Sequence, residues 1–309
     1  VTETTPTAGE ACESLHSVRD WLRYAVSRFV AARVFCGHGN DSEWDDAVQL
    51  VMQTLNLPLV NNVQFLEARL LPAEKSRLYE RIERRVTDRM PVAYLTGEAW
   101  FMGLPFYVDE RVLVPRSPLA EFLSDEGEPW LNGRPVTRIL DLCTGSGCIG
   151  IAAAHQFPDA QVDLADISAD ALAVAEQNVA RYGLQDRIRI IESDLFANLD
   201  GPYDLILSNP PYVDADDMAS MPPEYRHEPE LGLAAGTDGL EIAHRLLDEA
   251  ADYLTPDGVL VVEVGNSAPA LEEARPTLPF TWIAFDEGGH GVFMLEAGDL
   301  DRQSADHEG

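Results

Sequence analysis

Five consecutive residues carry the strongest chemical signal in the chain: Ser208-Asn209-Pro210-Pro211-Tyr212. They close the apolar run YDLILSN (203–209), which reads as a strand buried on both faces. Two prolines in a row fix the backbone and supply no N–H, so the Pro210 carbonyl has no neighbouring donor to pair with. Asn209 adds a side-chain carbonyl. Together these are two acceptors at one place, suited to an NH2 group. Holding both of its hydrogens leaves the nitrogen lone pair pointing elsewhere, toward a methyl sulfonium. Tyr212 can lie against a planar amide or base. Prolines at a strand end could be punctuation alone, but punctuation explains neither the amide on one side nor the aromatic on the other.

The chemistry to be solved is specific. An amide nitrogen is a poor nucleophile because its lone pair is delocalised into the carbonyl. Two acceptors favour a pyramidal nitrogen with developing positive charge, which stabilises the transition state rather than the ground state. Alignment contributes further, on the order of 7 kcal/mol or more in favourable cases. No strong general base is required, since the nitrogen becomes acidic only after it has gained the methyl group. Asn209, Pro210, Pro211 and Tyr212 are therefore the expected catalytic residues for methylation of an amino or amide nitrogen.

A second group reads as a cofactor site. Asp141-Leu142-Cys143-Thr144-Gly145-Ser146-Gly147 follows a strand and precedes a helix. Small residues there let backbone approach a ligand, and a helix N-terminus offers free N–H groups. Cys143 stands where a dinucleotide-binding loop would have its first glycine. Asp166 ends the next strand, 19 residues after Gly147, where an acid can take both ribose hydroxyls. Ile167 follows it and is counted with the same site, and Ser168 is the better N-cap for the next helix. Ser193-Asp194-Leu195-Phe196 ends the third strand; Asp194 could accept from an adenine amino group while Leu195 or Phe196 covers the ring. Asn209 borders this site too. A free 2′-hydroxyl with a loop lacking GxGxxG fits S-adenosylmethionine at least as well as NAD, because no pyrophosphate needs cradling.

The elements that must position these groups can be read from periodicity. Residues 1–9 read as a loose tail. From about 14 to 90 the pattern is helical, with Leu15, Val18, Leu22, Ala25, Phe29, then Ala47, Leu50, Val51, Leu55, then Leu78, Ile82, Val86 recurring at three and four. Pro91 ends it, because the residue before proline avoids the helical region. Residues 91–118, rich in aromatic and β-branched types, predict a β-hairpin linker. Residues 119–300 alternate strands and helices: TRILDLC (137–143), QVDLADI (161–167), RIRIIES (187–193), YDLILSN (203–209) and GVLVVEV (258–264) are strand-like, with helices such as Ala169–Tyr182 and Leu240–Leu254 between them. TWIAFDE and GVFMLEA around Gly288-Gly289-His290 predict a closing antiparallel hairpin. The expected fold is α/β, a seven-stranded Rossmann-like domain with a small N-terminal helical domain that docks the substrate. Residues 301–309 read as a polar tail.

Composition narrows the partners. The chain has 309 residues, with 53 acidic against 22 basic side chains and a net charge of −31. Residues 1–90 carry a net −2, residues 91–118 a net −1 and residues 119–309 a net −28. Such acidity argues against a broad grip on nucleic acid or anionic lipid. A GC-rich genome or a salt-adapted host accounts for an acidic, arginine-biased chain in which Lys75 is the only lysine; recruitment of a basic partner accounts for it equally well. No apolar run approaches the roughly 20 residues of a membrane span, and the polar start shows no export signal. Cys12, Cys36, Cys143 and Cys148 form no CxxC pair and have no histidine at ligand spacing, so no metal site is expected and the thiols are expected to be free in a reducing, cytoplasmic compartment.

These residues also carry a resemblance. PVAYLTGEAWFMGLPFYVDERVLVPRSP, ILDLCTGSGCIGIA, the acid Asp166, SDLF, SNPPYV and LAAGTDGL make the chain similar, over nearly its whole length, to the N5-glutamine methyltransferases that modify protein components of translation. The resemblance implies S-adenosylmethionine on the Gly-rich loop and the acid, and the target glutamine amide on Asn209 and Pro210 with Pro211 and Tyr212 completing the pocket. Members acting on peptide-release factors usually carry PRPETE where this chain has Pro115-Arg116-Ser117-Pro118-Leu119-Ala120-Glu121. With Tyr225-Arg226-His227-Glu228-Pro229-Glu230-Leu231-Gly232-Leu233, the chain is more similar to the branch methylating a glutamine of large-subunit ribosomal protein three, a basic partner. The loop from Asp214 to Leu233 could shape substrate choice. The alternatives are a release-factor methyltransferase, a nucleic-acid amino-group methyltransferase, for which the net −28 offers little phosphate grip, and a non-catalytic scaffold.

Overall fold

The computed structural model describes residues 6–286 and 288–300. The expected polar tail at 301–309 lies outside them, as do residues 1–5. The chain forms two compact units, one running through Glu98 and including Pro222–His227, the other comprising Ala99–Met221 and the residues from Glu228 onward.

The first unit is helical. Its helices are α1 (Ala8–Ser14), α2 (Val18–Ala32), α3 (Glu43–Thr54), α4 (Pro72–Thr87) and α5 (Val92–Thr96). Helix α1 starts inside the stretch expected to be a loose tail, because Thr7 and Glu10 cap each other's backbone N–H groups. Ser17 and Asp20 do the same for α2, and Ser42 caps α3. The apolar stripe predicted from spacing becomes the core: Leu22, Ala25, Phe29, Leu50, Val51, Leu78 and Ile82 pack together, joined by Trp21, nearly all without exposed surface. Each large side chain of this set contributes about 1.5–3 kcal/mol by leaving water. Helix α4 stops at Thr87, short of Pro91, with Arg89 already at φ +60°, and Pro91 opens α5 instead, so the hairpin expected across 91–118 is confined to β1 (Glu98–Phe101) and β2 (Leu104–Tyr107). Positive φ at both Met102 and Gly103 makes the turn that joins them.

The second unit holds a seven-stranded sheet. After α6 (Leu119–Ser124) come β3 (Arg138–Leu142), α7 (Cys148–Gln156), β4 (Gln161–Asp166), α8 (Ala169–Tyr182), β5 (Ile188–Glu192), β6 (Tyr203–Ser208), α9 (Ala215–Ser220), α10 (Glu241–Glu249), β7 (Leu254–Glu263), α11 (Ala268–Ala274), β8 (Thr281–Trp282) and β9 (Val292–Glu296). The strand order is β5-β4-β3-β6-β7-β9-β8, with β3 to β7 parallel and β9 antiparallel to both neighbours. The near-continuous apolar runs follow from burial on both faces. Ile139, Val162, Leu164, Leu205, Leu207, Val259 and Val261 face one layer of core, while Leu140, Leu142, Ala165, Ile206, Leu260 and Val262 face the other. Strand order reverses between β3 and β6, and the carboxyl ends of strands flanking such a point form a crevice suited to ligands. Leu142 and Ser208, the last residues of those strands, are register partners.

Candidate active site

The loop after β3 is shaped by left-handed backbone. Cys143 has φ +59°, Gly145 +55° and Gly147 +81°. Cys143 thus adopts the glycine-like conformation itself, and burial pushes its thiol up, keeping it protonated. A Cβ added to Gly145 would meet nothing within 4 Å, so this face of the loop is open. One added to Gly147 would press Leu164 at 3.1 Å and Ala175 at 3.3 Å, so that glycine serves packing. Gly150, in the first turn of α7, was not singled out by sequence: a Cβ there would lie 2.2 Å from Leu164 Cδ2 and 2.9 Å from Asp141 Cβ. Its absence lets α7 sit against β3, where the Gly150 N–H donates to Asp141 Oδ2 at 2.8 Å and Thr144 Oγ1 donates to the same atom at 2.5 Å. Asp141 has no exposed surface, and its Oδ1 has no hydrogen-bond partner among the described residues. Burial pushes its carboxyl up to about 7, against the pull of those two bonds. Asp141 therefore props the loop from behind. Ser146 and Thr144 are buried within the loop.

Asp166 sits across the loop. Its Oδ2 accepts from the Gly145 N–H and its Oδ1 from the Ser168 N–H, both at 2.9 Å. Burial raises its carboxyl pKa, opposed by these backbone bonds. Ile167, beside it, is 53% exposed, an apolar surface at the mouth of a polar site. Ser168 caps α8 as expected. These features fit an adenosyl group: an acid with lone pairs to spare for ribose hydroxyls, an exposed apolar side chain beside it, and an open glycine face.

The third strand end departs from expectation in one respect. Phe196 has no exposed surface and stacks on Tyr253 with ring centroids 4.6 Å apart. It belongs to the core under the sheet and offers no face to a ligand. Leu195, next to it, carries φ +47° and is almost fully buried. Asp194 is exposed and pairs with Arg245 at 2.9 Å, so any role toward an adenine amino group shares its carboxylate with that guanidinium.

The motif after β6 is buttressed on every side. Ser208 Oγ donates to the Leu142 carbonyl at 2.8 Å, tying the two strand ends together. Asn209 is partly exposed, and no hydrogen bond among the described residues engages its side-chain amide. Pro210 is buried, and Pro211 and Tyr212 are partly exposed. The Tyr212 hydroxyl donates to Glu263 Oε1 at 2.8 Å, and Ser117 Oγ donates to Glu263 Oε2 at 2.6 Å. Glu263, at the end of β7, is 5% exposed; burial raises its pKa while the two hydroxyls hold it down. The Tyr212 ring lies on Gly265, where a Cβ would come within 2.6 Å of it. Gly239 lets Ser267 Oγ reach the Tyr212 carbonyl at 2.9 Å, since a Cβ there would sit 2.4 Å from that oxygen. Both glycines have positive φ. Val213 pairs with LAAG through bonds to the Leu233 carbonyl and from the Ala235 N–H. Arg116 clamps Glu228 with two guanidinium nitrogens, at 2.5 and 2.7 Å, so the two segments that distinguish this chain by sequence bind each other.

One residue invisible to motif reading joins the cofactor loop to the hairpin. Asn178, fully buried on α8, accepts from the Tyr107 N–H and donates to the Tyr107 and Ser146 carbonyls, all within 3.0 Å.

A mostly parallel sheet with a glycine loop, a ribose-type acid and an Asn-Pro-Pro-Tyr step at its reversal point defines a methyltransferase, and residues 129–221 match the methyltransferase small domain family. The chain is 51% identical over 287 residues to the ribosomal protein uL3 glutamine methyltransferase of Neisseria gonorrhoeae, covering 93% of this chain and 96% of that one. Its counterpart in Francisella tularensis is 49% identical over 289 residues, covering 93% and 92%. The chain belongs to the family of ribosomal protein uL3 glutamine methyltransferases. Among solved structures, the hMettl16 catalytic domain bound to a MAT2A 3′UTR hairpin superposes with a TM-score of 0.50 at 18% identity, over 72% of this chain and 81% of that one, a likeness of fold.

Proposed function

We propose that this chain transfers a methyl group from S-adenosylmethionine to the side-chain amide nitrogen of a glutamine in ribosomal protein uL3, in the cytoplasm where such proteins are made. The observation that carries the reading is the placement of Asn209 and Pro210 beside the glycine loop, at the ends of the register-paired strands β6 and β3. The family's activity toward uL3 supports the same substrate.

Asp166 would hold the ribose, Ile167 would lie on the adenine, and the backbone of Cys143 to Gly147 would line the carrier, which supplies an electrophilic methyl carbon when bound. Asn209 Oδ1 and the Pro210 carbonyl accept the two amide hydrogens of the glutamine. That grip turns the nitrogen lone pair out of conjugation and opposes its positive charge as the new bond forms. Pro211 keeps the two acceptors in fixed relation, so no reorganisation is needed during the reaction. Tyr212, anchored by Glu263, forms the wall against which the amide plane lies. The proton leaves the nitrogen for solvent once methylation has made it acidic. Residues 1–90 carry no chemistry of their own and are assigned to docking of the substrate protein.

The deciding experiment incubates the enzyme with radiolabelled S-adenosylmethionine and a mixture of unmethylated ribosomal proteins, release factors and ribosomal RNA, then locates the label by mass spectrometry. Label on a glutamine side chain of uL3 is expected. Label on a release factor or on RNA, with none on uL3, overturns the assignment.

A further inference from the structure

The loop that follows the reaction motif is not all part of the sheet unit. Asp214–Met221 and the residues from Glu228 onward fold with the sheet, whereas Pro222–His227 fold with the helices. The reason is a buried ionic pocket. Glu224 is 1% exposed. Its Oε1 accepts from the Phe35 N–H at 2.9 Å and lies 3.4 Å from both Arg85 Nη1 and Arg89 Nη1. Arg85, equally buried, is held in turn by Asp46 and by the Phe35 carbonyl. Two acids and two arginines balance in this pocket, so removing one acid leaves buried positive charge uncompensated. Tyr225 seats next to it, with its hydroxyl on the Gly37 carbonyl and its ring 4.5 Å from that of His38. A Cβ on Gly37 would come within 2.9 Å of that hydroxyl. His227 closes the segment on the Asp88 carbonyl at 2.7 Å.

We propose that Glu224 is a positioning residue: it locks the middle of the 214–233 loop into the helical unit, and through that lock the helical unit sets how the loop receives the protein substrate. This rests on the reading of the site as a protein-glutamine methyltransferase. The lock acts in the middle of a segment whose ends are held by Val213 on the Leu233 carbonyl and by Glu228 on Arg116. Without Glu224 the stretch between Val213 and Glu228 keeps its ends and the contacts of Tyr225 and His227 but loses the buried charge pairing of its middle. A loop that is receptive only part of the time raises the apparent KM for the substrate it receives by the inverse of that fraction. Cofactor contacts lie elsewhere and are spared.

The test compares full-length parent, E224A and E224Q. In E224A, hydrogen exchange should quicken across 213–233, KM for uL3 should rise by about tenfold for a receptive fraction near one tenth, kcat should change little, and S-adenosylmethionine affinity should hold. E224Q keeps an acceptor for the Phe35 N–H and should recover part of the loss. If E224A does not fold, R89A, which removes the more exposed of the two arginines, reads the same pattern in milder form. Unchanged exchange across 213–233 overturns the lock, as does quickened exchange with unchanged KM. A merely structural role would lower thermal stability and leave KM alone. If the parent itself does not methylate uL3, the functional reading fails, and the exchange measurement alone still decides whether Glu224 holds the loop.

Discussion

The Tyr212 hydroxyl donates to Glu263 Oε1, and the other oxygen of the same carboxylate accepts from Ser117 Oγ. An ionised carboxylate accepts from both hydroxyls, but once protonated it must donate one of those bonds itself. Because burial raises the Glu263 pKa, the ionised form is complete only above the ordinary carboxylate range and is lost as pH falls through that raised value. The turnover rate should therefore show an acid limb displaced upward from ordinary carboxylate titration. Glu263→Gln should abolish that limb and retain part of the rate. Glu263→Ala should cost roughly 10- to 150-fold in kcat, since a buried bond to a charged group contributes about 1.5–3 kcal/mol. A pH–rate profile of the three proteins checks this, and an unaltered acid limb in Glu263→Gln refutes it.

Asn209 and Asp166 should separate chemistry from cofactor binding. Asn209→Ala removes an acceptor that nothing else engages among the described residues, so methyl transfer should vanish while S-adenosylmethionine still binds. Asp166→Ala should weaken cofactor binding by roughly tenfold or more, on the same scale for a bond to a charged group, and it also releases the Gly145 N–H. Titration calorimetry distinguishes the two. Equal loss of binding in both would remove Asn209 from the chemistry.

Much of this was legible in the sequence. Strand and helix order, the closing antiparallel hairpin and the Ser168 cap follow from local pattern and short-range chemistry. Glu263, Ser117 and Asn178 were not legible, because each acts through partners 32 to 146 residues away and shows no spacing of its own. Phe196 was misjudged for the converse reason: an aromatic after a strand end reads alike whether it faces a ligand or the core. The Pro222–His227 excursion hid inside a loop because its determinant, Glu224, is a charged residue, and only tertiary pairing distinguishes a buried charge from a solvated one.

Gly150→Ala tests the packing behind the cofactor loop. Alanine favours helix by about 1 kcal/mol, but its Cβ would meet Leu164 and the Asp141 Cβ, neither with surface to move into. Overpacking of this kind costs about 1–3 kcal/mol, so a net loss of stability is expected together with weaker cofactor binding as α7 is pushed away from β3. Denaturant midpoints and calorimetry on one preparation check both. A stabilised protein with unchanged affinity would show that the close approach is not required.

Asp141 makes stability depend on pH in a stated direction. Its carboxyl titrates at about 7 in the fold against an ordinary value of 3.8. Between those values the folded state holds a proton that the unfolded state does not. The contribution is therefore fully present below about pH 4 and is lost as pH rises through about 7; the gap corresponds to on the order of 4 kcal/mol. Asp141→Asn, which does not titrate, should flatten that part of the curve. Urea unfolding of both proteins between about pH 4 and pH 8 measures the difference.

The acidity itself makes the last prediction. The net charge of −28 lies within residues 119–309, against −2 in residues 1–90, so the field is strongest around the catalytic unit's own sequence. Ribosomal proteins are generally basic, and opposite net charge speeds encounter more than it tightens the bound state. The kcat/KM for intact uL3 should fall steeply as salt shortens the Debye length from about 10 Å near 0.1 M to about 3 Å near 1 M. A short uncharged glutamine peptide, which the field cannot steer, should show no such fall. If instead both substrates need molar salt for full rate, the charge reflects a salt-adapted protein, and recruitment of a basic partner is excluded as its cause.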